Sequence, residues 1–281
     1  MKSEYLPAIL VNGRVTSGSE ARVSPLSEAF MFGRGVFETI RIHRGRVVFL
    51  ADHHARLRSA CEAVGLPWHL GEAELRQRCE RLIQANSIGD GDAALKVMAF
   101  ADVGGVGELL VMRRLPYASE HYASGFRLTV HSSSMPTGLG SGTKNTSYLR
   151  SLLAREDARS RGFDEALFVT REGQVLEGAG TNVFVALAGE VYTPALSTGI
   201  LPGIARLQLL RRSADPKPRE SDVTTEMLQA ADEVFVTNAL LGVMPVAAID
   251  ERSFDLTANP LTRQFMRQYA VWRSEAWAGC V

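Results

Sequence analysis

The sequence predicts a mixed fold, α+β or α/β, organised as two domains. Three observations carry that expectation. The chain has 281 residues, 46% hydrophobic and 22% charged, enough for two cores. Strand-like and helix-like segments are interleaved in both halves. A polar, turn-forming stretch, "PYASEHYASG", separates a first domain at 1–115 from a second at 126–281, with 116–125 as the linker.

Taken in order, "AILVNGRV" reads as two short strands around an Asn-Gly turn, and "GVFETIRIHRGRVVFL" as a second hairpin turned at Arg44-Gly45. A 3.6 period then runs through Leu50, His54, Leu57, Ala60, Cys61 and Val64, and again through Leu75, Cys79, Leu82 and Ile83. Two amphipathic helices follow from that spacing. "AALKVMAFADVGG" and "ELLVMRRL" return to strands. The second half opens with the strand "FRLTVHSSS", and a packed helix with Tyr148, Leu149, Leu152 and Leu153 comes directly after Lys144. "EALFVT", "QVLEGAG", "TNVFVAL" and "EVYTPAL" read as a meander; helices at "PGIARLQLLRRSA" and "TTEMLQAA", a strand at "EVFVTNAL" and a last helix complete the chain.

Composition narrows the partners. Lys plus Arg and Asp plus Glu are both 31, so nothing draws the chain electrostatically to nucleic acid or to an anionic membrane. Cys61, Cys79 and Cys280 are odd in number and scattered, which fits a reducing compartment. The N-terminus lacks the apolar run of a signal peptide, and no stretch approaches a membrane span, so the cytoplasm is the expected address. The six histidines show no metal-ligand spacing, and no metal is expected. "DVGGVGE" lacks the following helix that a dinucleotide loop requires.

The residues suited to chemistry are few. Lys144 sits where the glycine- and serine-rich "LGSGT" meets a helix. By itself such a lysine is a solvated charge; in a buried or electropositive setting it becomes a nucleophile toward aldehydes and ketones. Glu177, in "LEGAGTNVF", takes a mid-sheet position followed by small residues that let a flat group approach. An exposed acid at a hairpin bend explains it equally. Pro202-Gly203 precedes a helix whose first amides suit a phosphate, as many helix starts do without binding one, and Arg56 in "HHARL" is a solvated cation or a clamp for that phosphate. Arg34 and Lys96 are open to a substrate carboxylate or to solvent.

Together, "FGRGVFETIR", "HHARL", "GTKNTSYLRSLLA", "DEALFVTREGQVLEGAGTNVFV", "YTP", "GILPGIAR" and "ADEVFVTNALLGVMPV" resemble, in order, the motifs of the class IV pyridoxal-phosphate enzymes. This is the fold type IV group of branched-chain and D-amino acid aminotransferases and aminodeoxychorismate lyase, and the resemblance runs from about residue 10 to 250. It implies a D-amino acid aminotransferase-like two-domain fold and pyridoxal 5'-phosphate held as a Schiff base on Lys144. It further implies Glu177 at the ring nitrogen and Tyr148 near the ring oxygen. Arg56 with the amides of Ile204, Ala205 and Ala239 falls at the phosphate; many members carry Thr where this chain has Ala205 and Ala239, and the amides remain. Phe32, Arg34, Glu38, Lys96, Asn238 and Leu240 fall on the substrate side.

The implied partners are an amino donor, a keto acid acceptor and a second copy of the chain in a homodimer. Transamination is the reaction most of these motifs imply. "TNALLGVMPV" and Phe32 resemble aminodeoxychorismate lyase instead, a β-elimination yielding 4-aminobenzoate and pyruvate, although the arginine-bearing loop of many lyases is missing from "AFADVGGVGE". A phosphate-ligand binding protein without turnover is the alternative from outside enzyme chemistry.

Overall fold

The computed structural model describes residues 4–133 and 140–276, so Cys280 lies outside the described residues. It divides into two compact units: Met1–Pro116 with Thr143–Ser147 and Arg273–Val281, and Tyr117–Gly142 with Tyr148–Trp272. The segment carrying Lys144 therefore groups with the first unit, while the chain on either side of it groups with the second. A single linker does not produce such a division.

The first unit opens with the hairpin β1 (Ala8–Val11) and β2 (Arg14–Ser17). Asn12 and Gly13 at its turn both take positive φ, 46° and 77°, the twist a two-residue hairpin needs. A short helix that the sequence reading passed over, α1 (Glu28–Phe32), follows. Ser27 caps it by accepting the Phe30 N–H at 3.2 Å, and Gly33 closes it in the left-handed region. The second expected hairpin forms as β3 (Gly35–His43) and β4 (Arg46–Val47). Helices α2 (Leu50–Ala63) and α3 (Glu72–Ala85) lead to β5 (Ala93–Asp102) and β6 (Gly105–Arg113).

These strands make one antiparallel sheet in the order β2-β1-β6-β5-β3-β4. Leu57 of α2 and Leu75, Cys79 and Leu82 of α3 share a core with Ile40, Ile42, Leu95 and Val97 of the sheet. Each such leucine contributes about 1.5–3 kcal/mol by leaving water. Periodicity puts His54 on the buried face of α2; the structure puts His53 there instead, because its ring bonds the buried Glu38 carboxylate at 2.7 Å.

In the second unit the expected linker holds a helix, α4 (Ser119–Ser124), ahead of β7 (Phe126–Ser132). Next come α5 (Leu149–Ser160), β8 (Glu165–Val169), β9 (Val175–Gly178), β10 (Asn182–Leu187) and β11 (Glu190–Pro194). A 3-10 turn at Leu196–Thr198 precedes α6 (Ile204–Arg212), β12 (Arg219–Ser221), α7 (Thr225–Ala230), β13 (Glu233–Asn238), β14 (Gly242–Ile249), β15 (Arg252–Ser253) and α8 (Pro260–Glu275). The sheet order is β12-β11-β10-β13-β14-β7-β8-β9, with β15 on β14. Phe184 and Phe235 stack at 4.9 Å in its core, and Phe265 of α8 packs on Phe235. Glu233 satisfies the start of α8 by accepting the Leu261 and Thr262 N–H groups.

Two expectations are corrected here, and one strand that they did not include is added. The meander is broken: β9 ends the sheet path, whereas β10 lies between β11 and β13. Glu177 is thus near the end of an edge strand rather than in mid-sheet. "GVMPVAAI" is an interior strand, β14, despite Pro245. It tolerates the proline because β7 joins it only from Val246 onward, so no bond to β7 is lost at Pro245. Finally, α5 buries Ala154 and Ala158, and leaves Leu149, Leu152 and Leu153 exposed at 64%, 40% and 54%.

Candidate active site

In the first unit, Lys144 is placed by backbone pairing. Strand β3 meets β4 only at Ile42 and His43, which leaves the edge at its beginning open. Residues 144–146 fill that edge: the Phe37 N–H donates to Lys144 O at 2.8 Å and the Thr146 N–H to Gly35 O at 2.9 Å. Thr146 Oγ1 also donates to Gly33 O at 2.6 Å. The segment is fixed by its main chain. Its ammonium lies 4.8 Å from the centroid of the Phe37 ring, and that of Lys96 lies 4.1 Å from the same centroid. Burial, with the like charge of Arg113 added, draws the Lys96 amine below its ordinary range.

Arg56 projects from α2 onto Glu38 of β3. Its Nε and Nη2 donate to the two carboxylate oxygens at 2.7 and 2.6 Å, and the His53 ring bonds Oε2. Burial alone pushes the Glu38 carboxyl up, but the charge and hydrogen bonds of Arg56, with the His53 bond, outweigh it and hold the group at about 2. Burial pushes His53 the other way, downward, so it stays a neutral donor. Glu38 is 1% exposed, and both oxygens are spent within the unit. The structure places it behind Arg56 and not on a substrate surface. Arg34 is likewise engaged, with Glu28 at 2.6 Å and the carbonyls of Val64 and Gly65. Phe32, at the end of α1, is 74% exposed.

In the second unit the centre is Glu177. Its Oε2 accepts the Asn182 side-chain N–H at 3.2 Å and the Leu201 backbone N–H at 3.1 Å. Asn182 Nδ2 also donates to Leu201 O at 2.9 Å, clamping strand and loop together. Two donors on one oxygen orient the carboxylate and favour its ionised form. Gly203 must be glycine because a Cβ there would overlap Asn182 Oδ1. It stands at the cap of α6 with no side-chain cap, so the amides of the buried Ile204 and Ala205 have no acceptor within the helix.

The Gly178–Gly180 turn after Glu177 is tied from three sides. Tyr148 Oη donates to Ala179 O at 2.7 Å, Asn238 Nδ2 to Gly180 O at 3.1 Å, and the Gly180 N–H to Glu165 Oε2 at 3.1 Å. Burial pushes the Tyr148 phenol up to about 12. It also pushes Glu165 up to about 7, against the opposing pull of Arg155 and the Ala166 and Gly180 N–H groups. Asn238 Oδ1 accepts from the Leu240 and Leu241 amides, so Asn238 shapes the turn holding Ala239, and Leu240 is only 5% exposed.

The structure thus groups Lys144, Lys96 and Phe37 on the first unit, and Glu177, Tyr148, Ile204, Ala205 and Ala239 on the second. Sequence reading missed Asn182, Glu165 and His53. A signal existed for Asn182, a polar side chain opening an otherwise apolar strand five residues after Glu177. Glu165 and His53 look like ordinary surface residues until burial is known.

The described residues contain no helix long and apolar enough to cross a membrane. A sequence model of the family described as amino-transferase class IV matches residues 35–249. The aminodeoxychorismate lyase of Bacillus subtilis is 27% identical over 278 residues, covering 93% of each chain. The D-alanine aminotransferase of Bacillus licheniformis is 29% identical over 264 residues, 91% of this chain and 93% of that one. Among solved structures, the branched-chain aminotransferase of Thermoproteus uzoniensis with norvaline superposes with a TM-score of 0.86 at 28% identity, covering 98% and 97% of the two chains. With more than half its length matched, and both ends of the match inside the elements just described, this chain belongs to the amino-transferase class IV family.

Proposed function

We propose that the chain is a pyridoxal 5'-phosphate-dependent aminotransferase that moves an amino group from an amino acid or amine to a 2-keto acid. The observation that carries this is the Glu177 carboxylate, fixed by Asn182 and the Leu201 amide. A pyridine nitrogen needs such an ionised, oriented acid to keep its proton, and a mere phosphate site does not. The coenzyme, when bound, supplies the electron sink for carbon acid chemistry.

The chain's own groups do the rest. Lys144 would hold the coenzyme through its ε-nitrogen and, once the substrate's amino group has displaced it, that free amine would take the substrate α-proton and return it. Glu177 would hold the proton at the ring nitrogen. Arg56, preset by Glu38 and His53, and, on the second unit, the first amides of α6 and the amide of Ala239 are the groups that would hold a phosphate. Neutral Tyr148 keeps the turn after Glu177 in place. Lys96 is the cation offered to a substrate carboxylate. The exposed Leu149, Leu152 and Leu153 stripe of α5 supports a homodimer, since an apolar i, i+3, i+4 face is costly in water. The address fitting this chemistry and the cysteine usage is the cytoplasm.

The test is direct. Protein reconstituted with the coenzyme is yellow; borohydride bleaches it and leaves a phosphopyridoxyl group on Lys144 in the peptide mass spectrum. Label on another residue, or none, refutes the reading. The lyase alternative is favoured by the B. subtilis relative and is separated by products. Pyruvate released without an amino acceptor supports it, and keto acid formed stoichiometrically with bound pyridoxamine phosphate supports transamination.

A further inference from the structure

We propose that a recess on the first unit binds a small organic ammonium ion that also carries an oxygen acceptor, its N–H donating to Glu108 and its oxygen accepting from the Trp68 indole. The inference uses none of the groups assigned to the coenzyme and stands apart from that reading. The recess, about 420 Å³, lies between the loop joining α2 to α3, helix α3 and strand β6. Trp68 and Leu70 of the loop, Glu74 and Arg78 of α3, and Val106 and Glu108 of β6 line it. Small-molecule sites have this order of volume and this mix of apolar wall with a few polar groups.

Sheet pairing places Glu108. It stands opposite Ala99 of β5, and its N–H donates to Asn12 Oδ1 in the first hairpin turn at 2.7 Å. Its side chain is 6% exposed. Arg78 donates to Glu108 Oε2 with one guanidinium nitrogen and to Glu74 with the other, the latter at 2.5 Å. Glu108 Oε1 is buried with no hydrogen-bond partner, and so is Trp68 Nε1. Buried polar atoms are normally paired, so an acceptor and a donor left over on one recess describe the ligand that completes them. Its charge follows from the lining. Among the described residues Arg78 is the only fixed cation there, and two carboxylates share it. Burial accordingly pushes the Glu108 carboxyl up, against the pull of Arg78 and the Gly13 N–H. No three His, Cys, Asp or Glu side chains gather among the described residues to hold a metal ion, which favours a molecular cation. An indole and two aliphatic side chains suit its alkyl groups.

The probe is N,N-dimethylethanolamine. Its tertiary ammonium has one N–H, its hydroxyl oxygen accepts a hydrogen bond, and it forms no imine with an aldehyde. Choline has the same charge and hydroxyl and lacks the N–H. In full-length purified protein labelled with nitrogen-15 tryptophan, the Trp68 indole resonance, assigned by its loss in Trp68→Phe, is followed as each compound is added. The probe should shift it saturably at millimolar concentration, choline should bind about tenfold more weakly, and Glu108→Gln should weaken the probe about tenfold or more. A resonance that stays in place up to tens of millimolar, as water alone at both atoms would leave it, overturns the proposal. An unchanged affinity in Glu108→Gln does so too. Equal affinity for choline also overturns it, since charge without a donor then suffices, and that comparison on the parent protein decides the matter even if the variant does not fold.

Discussion

Replacing Glu165 by glutamine tests the electrostatics of the turn behind Glu177. Glu165 is 4% exposed, and its carboxyl is pushed from 4.5 to about 7 by burial. An acid raised in the folded state binds its proton more tightly there than when unfolded. Its contribution is fully present below about pH 4.5 and is lost as pH rises through about 7. A displacement of this size corresponds to about 3 kcal/mol between those limits. Glutamine does not titrate, and its amide oxygen accepts one of the two N–H groups, from Gly180 or Ala166, that the carboxylate now accepts. Leaving the other unpaired costs about 1–3 kcal/mol at every pH, a constant offset. Urea unfolding of both proteins at pH 5, 6, 7 and 8, with native-state exchange of the Ala166 and Gly180 amides, gives the difference curve. The variant should gain on the parent by about 2 kcal/mol between pH 5 and 8, since part of the displacement is already lost at pH 5. A difference that stays flat across this range would show that Glu165 is ionised throughout, held by Arg155 and the two amides, and would refute the reasoning.

Other outcomes follow from the same contacts. Asn182→Ala removes a charge-assisted bond to Glu177 and should lower kcat about 10- to 100-fold with less effect on coenzyme retention, measured by steady-state rates and dialysis. Glu38→Ala strands the Arg56 charge, whose side chain is 13% exposed, and should cost about 3–5 kcal/mol in unfolding experiments together with weaker phosphate binding. Lowering the pH of the parent protein should destabilise it as Glu38 is protonated between about 4.5 and 2, a loss that a neutral variant at position 38 does not show. The proposed homodimer through α5 is checked by Leu152→Asp with Leu153→Asp, which should lower the sedimentation coefficient relative to the parent at micromolar concentration, and equal coefficients would refute it.

Local periodicity and turn chemistry were enough to read from the sequence alone both hairpins of the first unit, the two amphipathic helices, the position of Lys144 before a helix, and Glu177 ahead of a glycine turn. Each of these depends on residues within a few positions of one another, where φ preferences and side-chain spacing act directly. Only the tertiary structure decided which distant groups meet. Segment 143–147 pairs with β3 more than 100 residues earlier because that strand has an unfilled edge, and Glu38 turns from a substrate candidate into the partner of Arg56 because α2 covers its face. The break between β9 and β10, the proline inside β14 and the outward leucines of α5 are also set by long-range pairing. Burial and charge pairing depend on what the rest of the chain brings alongside a residue, and no local window of sequence contains that.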